Sequence, residues 1–562
     1  MIGNYHNRLN SNQIFSIGLF LFSILNVFTA GFMDVHFDEA YYWVYSKNPS
    51  LGYFDHPPMI AWMIFAGQTL FDNELGLRLF TIIFSTITVW ILWILAKKYT
   101  NNALLFWAII YSTLLVHPYS FIATPDGPLF LFTAIFFLIY DRYLKNNSWG
   151  NSLTLGVSIA LMLYSKYHGV LVVGFVTLSN LKLLSKKSFW VVALTSFLLI
   201  IPHFWWQYQN HFLSFQYHLI DRYLYRYEFK LTLFYILSEL AVTGPWLGWF
   251  FLYALWKNKP INKYELGLKV MGIGVFVFFL LSTFGGDYEA HWTLIAFVPL
   301  ILLTIKFVEE HQKWQKWIYI SGIVNFCLLL VVRVLLVTPL GNDIKAMSLL
   351  KGWKTDCFEL KSKVGDTPVL FQDSWNRAAR YAYYTKDTTV GNLNSGLYRR
   401  NQFDLLDLDE KLSGQTVYVI STDSTQFDSS EKLITKKAVW YVKKIESFHS
   451  YYNLKLKTGA PFRYENDRLI CPVVLENPYP NEIHLRETAF ELYRHEGQNW
   501  VLIATDKRDS ITIGSAEIME DVAIFNLSRK EFENDEIYLT FKIGVLKPIP
   551  GRILIHKATF QH

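Results

Sequence analysis

Charge is scarce over the first 337 residues of this chain, and cysteine is scarce throughout. The three cysteines, Cys327, Cys357 and Cys471, have no ligand spacing and make no disulfide framework, so a cysteine-built metal site is not expected. Only 17% of the 562 residues are charged while 52% are hydrophobic, a balance that excludes an ordinary soluble protein for much of the length and excludes a disordered one. No repeat or low-complexity tract appears. The net charge of +6 is spread unevenly and implies no nucleic-acid partner.

What the chain has in abundance is long apolar runs. Eleven stretches approach the roughly 20 residues a spanning helix needs. They lie near Ile14–Phe32, Gly76–Ala96, Leu104–Ile122, Pro128–Tyr143, Leu153–Tyr164 and Val170–Leu184. The rest are Phe189–Tyr208, Leu231–Trp256, Leu266–Phe284, Trp292–Phe307 and Trp317–Val337. The first is longer than a signal-peptide core and is expected to stay as a span. Met59–Phe71 is apolar but short, as for a helix lying at the interface.

Lysines orient these spans. Alternate connections carry Lys97 and Lys98, Arg142 and Lys145, Lys186 and Lys187, Lys257 and Lys259, and Lys313 and Lys316. The positive-inside rule makes that set cytoplasmic. The opposite connections carry the acids, together with Arg222 and Arg226, which break the charge trend. An odd number of spans puts everything after Val337 outside the cell membrane, here expected to be an inner membrane crossed many times.

After Val337 the long apolar runs stop. Val369–Phe371 and Val417–Ser421 read as buried strands with a helix at Trp375–Tyr384 between them, an α/β module over 342–445. Short alternating segments from about Glu446 onward predict a β-sandwich over 446–562. The expected organisation is thus a mainly α-helical membrane domain, 1–341, followed by these two extracytoplasmic modules.

The chemistry sits in the outer connections. His36–Met59 reads H-F-D-E-A-Y-Y-W-V-Y-S-K-N-P-S-L-G-Y-F-D-H-P-P-M, so Asp38, Glu39, Asp55 and His56 lie where a span meets water. Ionisable groups at that depth are costly and seldom idle. A-T-P-D-G-P adds Asp126, S-K-Y-H-G adds Lys166 and His168, and G-D-Y-E-A-H-W adds Glu289 and His291. Gathered at one mouth, carboxylates would serve as a general base and the cations would hold a leaving phosphate. Plainer readings stand beside this one. Asp126 between prolines suits a helix N-terminus, Lys166 suits a snorkelling lysine, and His291 beside Trp292 suits an interfacial anchor. Neighbouring acids and histidines admit a divalent cation, but no tight ligand spacing asks for one.

H-F-D-E-A-Y-Y-W, G-Y-F-D-H-P-P-M and A-T-P-D-G-P-L-F-L-F resemble polytopic glycosyltransferases of the GT-C class, in particular bacterial members related to protein O-mannosyltransferases and lipid A aminoarabinose transferase. The likeness runs over roughly Ile14 to Asp404 and includes R-R-N-Q-F-D at Arg399–Asp404. It implies transfer of a sugar from a polyprenyl-phosphate donor to a lipid, glycan or protein acceptor on the outer face, with inversion. It also implies that Asp38 is the catalytic base, with Glu39 beside it, and that Asp126 is the acid of the second outer loop. Asp55, His56, Lys166, His168, Arg222 and Arg226 are expected around the donor phosphate, and Glu289, His291 and Arg399 elsewhere in the cavity. His56 stands where aminoarabinose transferases carry a lysine. The rival reading is a transporter or flippase with a proton relay. It fits less well, because the ionisable residues cluster in outer loops and the halves do not repeat.

Overall fold

The computed structural model describes residues 9–219, 227–285, 288–347, 350–407, 411–422, 431–496, 499–527, 537–544, 546–549 and 553–555. The chain divides into two compact units, 1–351 and 352–562.

The first unit is helical. It begins with α1 (Ser11–Phe32), α2 (Phe37–Lys47), α3 (Met59–Leu70), α4 (Glu74–Ala96), α5 (Ala103–Ser112), α6 (Asp126–Lys145), α7 (Trp149–Ser165) and α8 (Gly169–Leu178). It continues with α9 (Lys187–Gln209), α10 (Leu213–Leu219), α11 (Phe229–Thr243), α12 (Gly248–Lys257), α13 (Lys263–Ser282), α14 (Phe297–Glu310) and α15 (Gln315–Val337).

Each of the eleven apolar stretches becomes helix, but not each becomes a full span. Among the described residues seven helical segments are long and apolar enough to cross a membrane, and α11 with α12 forms an eighth only as a pair bent by 90°. The expected span Leu104–Ile122 instead ends at Ser112, where Thr113 leaves the helical region and a short turn follows at Pro118–Ser120. Val170–Leu184 likewise stops at Leu178. Length alone could not reveal these breaks, because apolar side chains continue across them. α14 is the innermost helix, with nearly all its residues buried. By contrast α1, α9 and α15 present Phe20, Phe28, Leu194, Phe197, Ile323 and Val331 outward, as lipid-facing helices do. This is a multi-pass membrane protein.

The second unit begins with α16 (Trp353–Val364), and α17 (Trp375–Thr385) follows the first strand. Its five-stranded sheet runs β2 (Gly391–Leu393), β1 (Val369–Gln372), β3 (Val417–Ser421), β5 (Val439–Ile445), β4 (Glu431–Ile434). β1 is parallel to both β2 and β3, as α/β connections require. Two antiparallel sheets follow. One orders β10 (Asn499–Ile513), β9 (Ile483–Glu496), β12 (Ile537–Ile543) and β13 (Ile553–Ile555). The other orders β11 (Ile518–Asn526), β8 (Arg468–Glu476) and β6 (Lys455–Thr458), with β7 (Arg463–Glu465) also on β8. Alternate residues of both, such as Leu469, Val473, Phe490, Leu492, Phe525 and Phe541, share one core, which makes them a sandwich.

Candidate active site

The two acids that end the first connection have opposite surroundings. His36 caps α2: its Nδ1 accepts from the Asp38 N–H at 3.3 Å, and its own N–H donates to Glu39 Oε2 at 3.0 Å. Both acids therefore lie in the first turn, where the helix favours negative charge. Asp38 remains about one-third exposed. Glu39 is fully buried and saturated. Arg78 of α4 donates to its two oxygens from Nε at 2.7 Å and Nη2 at 2.5 Å, and the Ala123 N–H adds a bond of 2.8 Å. The same guanidinium holds the carbonyls of Ala30, Met33 and Asp34 at 2.7–2.9 Å. One ion pair thus ties the end of α1, the start of α2, α4 and the loop before Asp126. Glu39, expected as a second base, has no lone pair left to take a proton from substrate without breaking that tie.

Asp126 is the first residue of α6, not its cap, which is Pro125. It is buried, and Lys166 from the α7–α8 turn donates to its two oxygens at 2.8 and 2.9 Å. His291 Nε2 stands 3.8 Å from the same carboxylate, and its ring stacks on Tyr119 at 5.4 Å. Burial raises Tyr119 well above the usual tyrosine range, and the negative charges of Asp126, Asp38 and Glu289 raise it further. The connection before α6, the α7–α8 turn and the segment before α14 thus meet at the Asp126 carboxylate.

Asp55 is held by the buried Tyr45 hydroxyl, and Tyr53 stacks on the Tyr45 ring at 4.3 Å. His218 of α10 donates from Nε2 to the Asp55 carbonyl at 2.7 Å. The His56 ring lies edge-on to Tyr42 at 5.5 Å and 6.2 Å from His218. Tyr42 is likewise pushed well up, by burial first and then by Asp38, Asp55 and Asp126. The loop carrying Asp55 passes so close to α9 that a Cβ on Gly52 would lie 2.4 Å from the Trp206 ring, so only glycine fits there.

The other expected residues have different surroundings. His168 packs against Phe279 and Trp292 at 5.2 and 5.5 Å. Glu289 is exposed. Arg399 belongs to the second unit, where it lies 4.9 Å over the Trp375 ring. Arg222 and Arg226 lie outside the described residues. No group of three metal-binding side chains converges among the described residues. The residues not anticipated are Arg78, Tyr42, Tyr119 and His218. Arg78 had a signal: it is the one cation within an otherwise apolar run, Leu75–Ala96.

Comparison with known proteins bears on this cluster. Residues 55–206 match the family described as dolichyl-phosphate-mannose-protein mannosyltransferase. Over 304 residues the chain is 24% identical to the lipid A galacturonosyltransferase RgtD of Rhizobium johnstonii, a match covering 52% of this chain and 64% of RgtD, less than two thirds of that protein. Crystal structures of ArnT from Cupriavidus metallidurans, apo and bound to undecaprenyl phosphate, match with a TM-score of 0.58 at 12% identity. Each covers 76% of this chain and 97% of ArnT. The chain has the ArnT-like GT-C fold. The mannosyltransferase match begins at Asp55, so it takes in His56, Asp126 and Lys166 and leaves Asp38 outside.

Proposed function

We propose that this ArnT-like protein is a membrane glycosyltransferase that moves a sugar from a polyprenyl-phosphate donor to an acceptor at the extracytoplasmic face, with inversion. The observation that carries the reading is the joint presence of Asp38, Asp126, Lys166 and His291 where the outer loops meet. The relatives lend it substrates: RgtD is a lipid A galacturonosyltransferase, and ArnT has been crystallised with undecaprenyl phosphate. A lipid A-type glycan is accordingly the acceptor class proposed.

In this reading each acid has its own task. Asp38 is the accessible carboxylate and takes the proton of the acceptor nucleophile as the sugar–phosphate bond breaks. Asp126 is already neutralised by Lys166, so it orients the ammonium instead of acting as base. Lys166 has three donors and spends at least one on Asp126. It turns the remainder, with His56 and His291, toward the departing phosphate. A single displacement at the anomeric carbon inverts its configuration.

The test is a lipid and glycan comparison of cells with and without the gene. Loss should cause one polyprenyl-phosphate sugar to accumulate and one glycan to lose that sugar. If no lipid-linked sugar accumulates, or if the purified enzyme gives a product retaining the donor's anomeric configuration, the reading fails.

A further inference from the structure

Three buried carboxylates of the helical unit face a cation: Glu39 faces Arg78, Asp126 faces Lys166 and Glu265 faces Lys306. Glu239 of α11 is buried as well, at 3% exposed, yet no basic side chain pairs with it among the described residues. A carboxyl group inside an apolar helix is costly and seldom idle. The partners of this one are two hydroxyls. Tyr288 donates to its Oε1, and Thr293 Oγ1 lies 3.0 Å from Oε2 and 3.2 Å from Oε1. These residues stand on either side of His291, Tyr288 before the 3-10 turn Ala290–Ala296 and Thr293 within it.

Packing holds the same turn. Trp292 lies against Phe279 at 5.6 Å and His168 at 5.5 Å, and Tyr288 meets the Tyr235 ring of α11 edge-on at 4.6 Å. Apolar burial is non-directional, whereas hydrogen bonds weaken steeply as their angle opens. A carboxylate that grips both Tyr288 and Thr293 therefore fixes how the turn is rotated. His291 is the side chain that such a rotation would move. Its Nε2 lies 3.8 Å from the Asp126 carboxylate and its ring stacks on Tyr119. Glu265 and Lys306 join helix to helix, α13 to α14. Glu239 instead joins a helix to the segment that carries a residue of the site.

We propose that Glu239 is a positioning residue, which holds the His291 imidazole at the Asp126–Lys166 pair by fastening the chain on both sides of it. Its value to catalysis rests on the donor-phosphate role proposed for His291, and Glu239 itself touches no substrate.

The experiment uses the full chain in detergent micelles with isotope-labelled histidine. The His291 ring signal is identified by its loss in His291→Gln, and affinity is measured for undecaprenyl phosphate. Glu239→Ala removes both ties, so it should shift the His291 signal and weaken undecaprenyl phosphate by about threefold to fivefold. The double variant Glu239→Ala/His291→Gln should bind no more weakly than His291→Gln alone, because both changes remove the same contact. Glu239→Gln should restore signal and affinity. Its amide oxygen accepts from Tyr288 and its amide nitrogen donates to Thr293, whose hydroxyl already lies 3.0 Å from the Ala290 carbonyl. Tyr288→Phe removes one tie and should shift the signal by less, which covers the case in which Glu239→Ala does not fold. An unmoved His291 signal in a folded variant, or losses that add in the double variant, would overturn the proposal. The two possible failures are distinguishable. An unmoved signal beside a weakened His291→Gln removes the anchor and leaves the transfer reading standing. A moved signal beside an unaffected His291→Gln supports the anchor and removes the phosphate role of His291.

Discussion

Opposite ends of the same helices gather charge in different ways. At the far ends of α4 and α6 and the near end of α13, Asp141 takes Lys98 and Lys145 at 2.8 Å each, while Glu265 takes Lys306 at 2.7 Å and the Ile261 N–H at 3.0 Å. Those pairs hold helices together. At the end where α4 and α6 begin, Glu39 and Arg78 do the same, but Asp38 beside them is left partly open and Asp126 faces His291 as well as Lys166. An ion cluster that only braces a bundle closes on itself. One that keeps a carboxylate partly exposed has a group to offer a substrate, the use proposed for Asp38.

Breaking the closed pairs should have the largest effect. Arg78→Met and Lys306→Met each strand a buried carboxylate, and each should cost about 3–5 kcal/mol of stability in denaturant titrations. Their consequences for turnover should diverge. Folded Lys306→Met protein should keep its activity per molecule, whereas Arg78→Met should lose it, since Asp38 is positioned through that pair. Equal turnover per folded molecule in the two would erase the contrast between the ends.

Next comes Asp38→Asn, which keeps the shape of the side chain and removes its basicity. Turnover should fall by about 10²-fold or more with an unchanged melting temperature. Near-normal turnover would remove Asp38 as base, and a saturated Glu39 does not offer a ready substitute.

His291→Gln tests the open side more gently. A half-buried imidazole lost from beside Asp126 should weaken donor use by about 1 kcal/mol, seen as a raised KM with little change in stability. At the other end, Lys145→Ala removes an exposed i, i+4 partner of Asp141 and should change stability by less than about 0.5 kcal/mol.

Much of this arrangement could be read in the chain, and the exceptions have physical causes. The loop motifs pointed to Asp38, Asp126, Lys166 and His291 because ionisable residues at span ends stand out against an apolar background. The alternation of short segments after Glu446 announced the sandwich. Adjacent acids, however, look identical in sequence, and what separates Glu39 from Asp38 is Arg78, 39 residues away. His168 sits in a motif that gives no sign of its packing against Phe279 and Trp292. The helix breaks after Ser112 and Thr243 were hidden because hydropathy averages across them.

The bond from Glu39 to the Ala123 amide has a further consequence. It fastens the loop leading into Asp126 to the helix carrying Asp38, so the spacing of the two carboxylates is fixed when the protein folds. On the proposed function, a substrate reaching across both would meet carboxylates whose spacing is already set, and would spend none of its affinity on ordering them. On the same reading, adaptation to a different sugar or acceptor would fall to His56 and His218, which sit on a separate loop and a short helix, and exchanges there would leave the spacing of Asp38 and Asp126 intact.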